Sequence, residues 1–172
     1  RLSMTFGGKY EPVYGVGKSA VTARAPGFSG QLAHVRVDPA TGEVTLLGIV
    51  AVQDVGRALN PALVEGQVQG GVAQGIGWAL HEGLIYDDNG QPLNPTLMDY
   101  SLPAAPQVPP IEVKLVELPS SAGPFGAKGV GEPPVIPTAA AIANAIADAT
   151  GARVTDLPMT APRIRAAIAK AN

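Results

Sequence analysis

A chain of 172 residues with a net charge of −2, 46% hydrophobic and 15% charged residues is long enough for one core and falls among globular sequences. That balance gives no case for nucleic acid or an anionic membrane surface, and no apolar run approaches the roughly 18 residues of a bilayer span. Cysteine is absent, which excludes disulfides, zinc thiolates and iron–sulfur ligation by this chain and fits a cytoplasmic protein.

The start, Arg1-Leu2-Ser3-Met4, has no signal-peptide core and runs straight into patterned sequence, so a piece of something longer is expected. Residues 6–30 are punctuated by glycine and proline and read as loops. Two phosphate-loop patterns there are incomplete. Gly17-Lys18-Ser19 has Pro12 where a Walker-type loop needs its first glycine, and Gly15-Val16-Gly17-Lys18-Ser19-Ala20 is followed by Pro26-Gly27 where a helix should run.

A hairpin follows. Leu32 to Val37 alternates, Asp38-Pro39-Ala40-Thr41-Gly42 turns, and Glu43 to Val55 returns. The continuous apolar run from Val44 to Val52 predicts a central strand covered on both faces. His34, in the alternating strand, reads as a surface residue, and with only His81 besides it there is little material for a histidine metal site.

Asn60-Pro61 opens a helix, with Asn as N-cap and Pro at its first position. Val64, Val68, Val72, Ile76 and Leu80 form an apolar ridge, while Gly66, Gln67, Gly70, Gly71, Gln74, Gly75 and Gly77 occupy the other side. Five glycines weaken a helix by several kcal/mol, at about 1 kcal/mol each, so something must lie against the bare backbone. Either a neighbouring element packs there, or a ligand does, met by the amides of Gln67 and Gln74 seven residues apart.

Leu84-Ile85-Tyr86 reads as a short strand before the turn Asp87-Asp88-Asn89-Gly90, and residues 92–110 as a proline-spaced surface segment. Ile111 to Glu117 alternates strictly and predicts a half-buried edge strand. Thr138 to Thr150 is an alanine-rich helix with Ile142, Ile146 and Ala149 on one face, stopped by Gly151. A last helix over 162–170 carries Arg163, Arg165 and Lys170 on a solvated face. The expected class is α+β, a single domain or fragment over 1–172. A mixed β-sheet from the 31–53 hairpin and strands near 84 and 111 is covered by helices 61–82, 137–150 and 162–170.

Between the last strand and the alanine-rich helix stands Gly123-Pro124-Phe125-Gly126-Ala127-Lys128-Gly129-Val130-Gly131-Glu132-Pro133-Pro134. Its glycines and prolines rule out a helix interior or a central strand, so it reads as a structured loop that delivers one carboxylate, Glu132. Successive amides of such a loop form an anion-binding concavity, to which Lys128 adds a positive charge. Glu132 suits a general base where burial raises its pKa; the plain alternative is a turn whose Glu bonds neighbouring amides.

Gly126 to Pro134 resembles the active-site loop of the molybdenum hydroxylases: xanthine dehydrogenases, aldehyde oxidoreductases and the large subunits of aerobic carbon monoxide dehydrogenases. Asp54-Val55-Gly56-Arg57-Ala58-Leu59-Asn60-Pro61 and the stretch Gly66 to Gly77 resemble the C-terminal half of their molybdopterin-binding subunit, in the same order. The resemblance implies that Glu132 accepts a proton from a metal-bound hydroxide that attacks an aldehyde or N-heterocycle carbon, or takes part in CO oxidation. It also implies that Gln74, Lys128, Gly129, Val130 and Gly131 line a molybdenum cofactor, as molybdopterin or its cytosine dinucleotide. Implied partners are the rest of the molybdopterin-binding subunit, iron–sulfur clusters on another domain or subunit, and a flavin (FAD) as a further candidate. The chain alone is then expected to be inactive. The competing reading is a non-catalytic phosphate- or nucleotide-binding or assembly module built on loop 123–132.

Overall fold

The structure, a computed structural model, describes residues 14–18 and 24–171. The two phosphate-loop patterns near residues 12–20 lie partly outside the described residues.

Strand β1 (Ser29–Val37) pairs antiparallel with β2 (Val44–Asp54) through a turn closed by Asp38. The Asp38 side chain accepts from the Ala40 amide at 2.8 Å, and its carbonyl accepts from Gly42 at 2.7 Å. His34 faces Gly48 and Val35 faces Leu46, so Leu47 is an extra residue that kinks the ladder. Strand β3 (Ile111–Val116) joins the other edge of β2, parallel to it, and the sheet order is β1-β2-β3. A parallel pair needs a long crossover. Helix α1 (Pro61–Leu80) and the irregular segment after it supply one.

Helix α2 (Thr138–Thr150) packs on β1, and α1 packs on α2, β3 and β2. Between them lies the core: Ile49 and Ala51 of β2, Val68, Val72 and Ile76 of α1, and Ile142 and Ile146 of α2. Each buried Ile or Val contributes about 1.5–3 kcal/mol, which offsets the glycine burden of α1. The Asn60 side chain adds a cap, accepting from the Leu63 amide at 3.2 Å. Helix α3 (Ala161–Ala171) closes the other end with Ile164 and Ile168, and leaves Arg163, Arg165 and Lys170 exposed.

Three expectations need correction. Tyr86 forms only an isolated bridge to Pro92, so Leu84–Tyr86 is not a strand of the sheet; Asn94 ties the segment instead, accepting from the Ile85 amide and donating to the Gly83 carbonyl. β2 is central but covered on one face only, since Leu47 and Val52 are 40% and 39% exposed. Ala149 is exposed, because the apolar face of α2 ends at Ile146. Among the described residues no helix is long and apolar enough to cross a membrane.

Candidate functional site

The three motifs singled out in the sequence meet at the carboxyl ends of the parallel pair β2 and β3. In open sheets this is where ligands bind. The ladder itself extends past both strands, with the Val55 amide donating to the Val116 carbonyl at 3.0 Å. The Ala58 amide then donates to Glu117 Oε2 at 2.9 Å.

The glycine loop has a rigid first half. A tight turn at Pro124–Gly126 holds Phe125 at φ 55°, ψ 15°, and Gly126 at φ 85°. For phenylalanine the left-handed region costs roughly 1–2 kcal/mol, which neighbouring contacts must offset. They are present. The Gly126 amide donates to Gly123 O, Ala127 to Pro124 O, and Ser120 to Gly126 O, at 3.0–3.1 Å. The Lys128 amide then donates to the Val55 carbonyl at 3.0 Å, and its ammonium meets Asp54 Oδ2 at 2.6 Å. This ion pair is sealed, with side-chain exposures of 10% and 4%. The hydrogen bond from Lys128 holds the Asp54 carboxyl below the usual carboxylate range, helped by the Gly56 amide at 3.0 Å and opposed by burial. Gly56 has φ 67°, and a Cβ there would fall 2.3 Å from the Gly126 carbonyl oxygen, so only glycine lets the two segments touch.

Residues 129–132 then form a free-standing arch. Beyond their immediate chain neighbours, no atom of the described residues lies within 4 Å of where a Cβ would be on Gly129 or Gly131, and Glu132 is exposed. The chain is caught again at Pro134, whose carbonyl accepts from Gln31 Nε2 at 2.6 Å and from Thr138 Oγ1 at 3.2 Å.

Beside the loop, a mostly apolar cavity of about 340 Å³ is lined by Val55, Leu59, Leu63, Gln67, Lys128 and Val130, among others. Of the predicted site residues it therefore gathers Lys128 and Val130, with Gln67 from α1. Gln74 lies two turns along α1 from Gln67, exposed on the same side; Gly129, Gly131 and Glu132 stand outside the cavity lining.

Four of the five glycines of α1 divide into two sets, and a Cβ on the fifth, Gly77, would meet Glu82 and Pro103. Cβ atoms on Gly71 and Gly75 would fall 2.8 Å from Pro134 Cβ and 2.5 Å from Thr138 Cβ, so that side packs against the start of α2. Gly66 and Gly70 have nothing within 4 Å among the described residues and, with Gln67 and Gln74, leave an open polar face. One further expectation is corrected: Lys128 adds no free positive charge to the loop, because Asp54 neutralises it and its amide is taken by Val55. Its carbonyl and stem remain for a ligand.

The donor set suits an anionic, hydrogen-bonding ligand. Among the described residues, the amides of Gly129, Val130, Gly131 and Glu132 donate to no protein acceptor. No group of three or more His, Asp or Glu converges among the described residues, so a metal would bring its own ligands.

Sequence reasoning missed Asp54 as the partner of Lys128 and Gln31 as the holder of Pro134. The former sits in a quoted motif, but the contact spans 74 residues and the latter 103, and neither separation leaves a local signal.

The profile of the family described as "Molybdopterin cofactor-binding domain" matches residues 2–109. The chain is 44% identical over 144 residues to the xanthine dehydrogenase molybdenum-binding subunit of Escherichia coli, covering 83% of this chain and 19% of that protein. It is 39% identical over 160 residues to the nicotine 6-hydroxylase large subunit of Paenarthrobacter nicotinovorans, covering 90% and 20%. Its structure resembles quinoline 2-oxidoreductase from Pseudomonas putida with a TM-score of 0.76 at 40% identity, covering 80% of this chain and 18% of that one. The chain thus spans about a fifth of the length of these curated relatives. A strand–helix–strand frame with its glycine motifs at the carboxyl ends, and a profile match over most of the sequence, make this chain a member of the molybdopterin cofactor-binding domain family.

Proposed function

We propose that the chain is the C-terminal part of the molybdopterin-binding subunit of a molybdenum hydroxylase, and that Glu132 is its general base. The observation that carries this reading is the arch 129–132: free amides and a carboxylate side by side, held at both ends, with Val130 lining the apolar cavity beside it.

In this reading the amides of Gly129, Val130 and Gly131 hold the anionic part of the cofactor or its oxygen ligands, and Gln74 adds an amide from the open face of α1. Lys128 lines the site through its carbonyl and stem. When bound, the molybdenum cofactor supplies the two-electron oxidation. Glu132 receives the proton released as an aldehyde or N-heterocycle carbon is hydroxylated, or acts in CO oxidation. A working base needs its carboxylate partly withdrawn from water, and these residues leave Glu132 exposed. The earlier part of the same subunit supplies that cover, and iron–sulfur and flavin carriers on partner domains accept the electrons. The isolated chain is accordingly inactive.

The test is Glu132→Gln in the full-length enzyme. Turnover is expected to fall by about 10²–10⁴-fold with molybdenum content unchanged. Near-normal turnover overturns the assignment.

A further inference from the structure

The arch that carries Glu132 is short, and both of its footings are on one hairpin. At its start, Lys128 is fixed by Asp54, the last residue of β2. Asp54 uses both carboxylate oxygens, Oδ2 for the Lys128 ammonium and Oδ1 for the Gly56 amide. At its end, Pro134 is fixed by Gln31 of β1, near the same end of the sheet. Gln31 lies opposite Ala51, and Asp54 is three residues further along β2. Strand alternation places Gln31 on the helix-covered face and Asp54 on the other. The arch therefore passes over the carboxyl end of β2, from one face of the sheet to the other.

Neither footing is explained by packing alone. Gln31 keeps Oε1 buried with no partner among the described residues, a loss that a methionine or leucine would avoid. The side-chain hydrogen bond it makes among the described residues is the one that holds Pro134. Asp54 is a charge at the end of a strand whose inward residues are Ile49, Ala51 and the buried Gln53, none of them charged; its ionic partner is the last residue before the arch.

We infer that Asp54 and Gln31 are positioning residues that fix the two ends of arch 129–132 and thereby the place of Glu132. The catalytic consequence rests on the reading of Glu132 as general base; the mechanical claim does not. A residue that merely stabilised the fold would alter stability and leave the arch and the pH profile alone. A positioning residue changes where the carboxylate sits, and a displacement near 1 Å costs about 10²-fold in rate.

The experiment compares Asp54→Asn, Gln31→Met and Glu132→Gln in the full-length, cofactor-loaded enzyme. Hydrogen exchange reads the two footings of the arch: the amides of Ala127 and Lys128 report the first, and that of Val135, which donates to the Glu132 carbonyl at 3.1 Å, the second. Asp54→Asn is expected to speed exchange at Ala127 and Lys128, and Gln31→Met at Val135, each by about tenfold or more. Turnover should fall by about 10- to 100-fold with KM within about threefold, molybdenum content unchanged and the acid limb of the kcat profile displaced. Lys128→Arg, which keeps the charge, should retain more turnover than Lys128→Met. Unchanged exchange in both footing variants overturns the inference, as does unchanged kcat where Glu132→Gln is inactive. If Glu132→Gln turns over normally, the general-base reading falls, and exchange alone decides whether Asp54 and Gln31 hold the arch. Should Asp54→Asn fail to fold, Gln31→Met carries the test, since methionine fills the same volume and removes the buried orphan oxygen.

Discussion

Gly75 and Thr138 touch so closely that a single methyl on the glycine would fall 2.5 Å from the threonine Cβ and 2.6 Å from its hydroxyl oxygen. Thr138 is fully buried and gives its hydroxyl to Pro134, so the contact links α1 to the turn that ends the glycine loop. Gly75→Ala is expected to destabilise by about 1–3 kcal/mol despite the better helix propensity of alanine. Denaturant titration of the full-length protein checks this.

The opposite sign is expected at Gly66 and Gly70, where nothing lies within 4 Å. Alanine at either should stabilise the helix by up to about 1 kcal/mol. If Gly70→Ala also lowers molybdenum content, the open face of α1 is a ligand face; full content with added stability marks it as free of ligand.

Gly56 and Gly151 both have positive φ, 67° and 72°, but only Gly56 has neighbours where a side chain would go. Gly151→Ala should cost about 1 kcal/mol, the price of the backbone conformation alone. Gly56→Ala must also push Gly126 and Lys128 away, so it should cost more and should loosen the loop. Exchange at the Lys128 amide measures the second effect.

Lys128→Met strands the buried Asp54 carboxylate and is expected to destabilise by about 3–5 kcal/mol. The double variant Asp54→Asn/Lys128→Met should cost less than the sum of the two single ones, because each single change leaves the other group unpaired.

Four groups shape the acid side of the stability profile: the exposed Asp38 and Asp87, each lowered by backbone amides, and the more deeply placed Asp54 and His81. Asp54 has its folded pKa lowered from 3.8, chiefly by the Lys128 hydrogen bond, so its contribution is full above that value and is lost as pH falls through the folded one. His81 is lowered from 6.5 by burial, with Glu82 opposing, so the fold favours the neutral ring. That contribution is full above pH 6.5 and fades as pH falls through the lower folded value. His81→Gln should flatten stability just below neutrality, and Asp54→Asn should reduce the slope below pH 3.8, where Asp38 and Asp87 still contribute. Melts at stepped pH separate the two.

Much of this architecture is legible in the residues. The Asn60-Pro61 start, the Val68-Val72-Ile76 ridge, the Gly151 stop and the strict alternation of 111–116 are local signals, each set by capping or side-chain period. What failed needed tertiary knowledge. Leu84–Tyr86 has strand composition but no partner strand beside it, and the run from Val44 to Val52 looks doubly buried although only one face has helices. In the site, glycines announced a loop near a ligand, but composition could not separate Gly71 and Gly75, which admit Pro134 and Thr138, from Gly66 and Gly70, which admit nothing among the described residues. Nor could it show that Lys128 is already spent on Asp54.

The single covered face of the three-stranded sheet has a practical outcome for anyone preparing this segment by itself. Its bare side displays Leu32, Leu47 and Val52, and β1 and β3 each end the ladder with no further strand among the described residues. Molecules so finished tend to zip together edge to edge. Purified alone, the segment should show particle sizes that grow with concentration, and lysine or glutamate at positions 32 and 47 should restore monodispersity without disturbing the buried side.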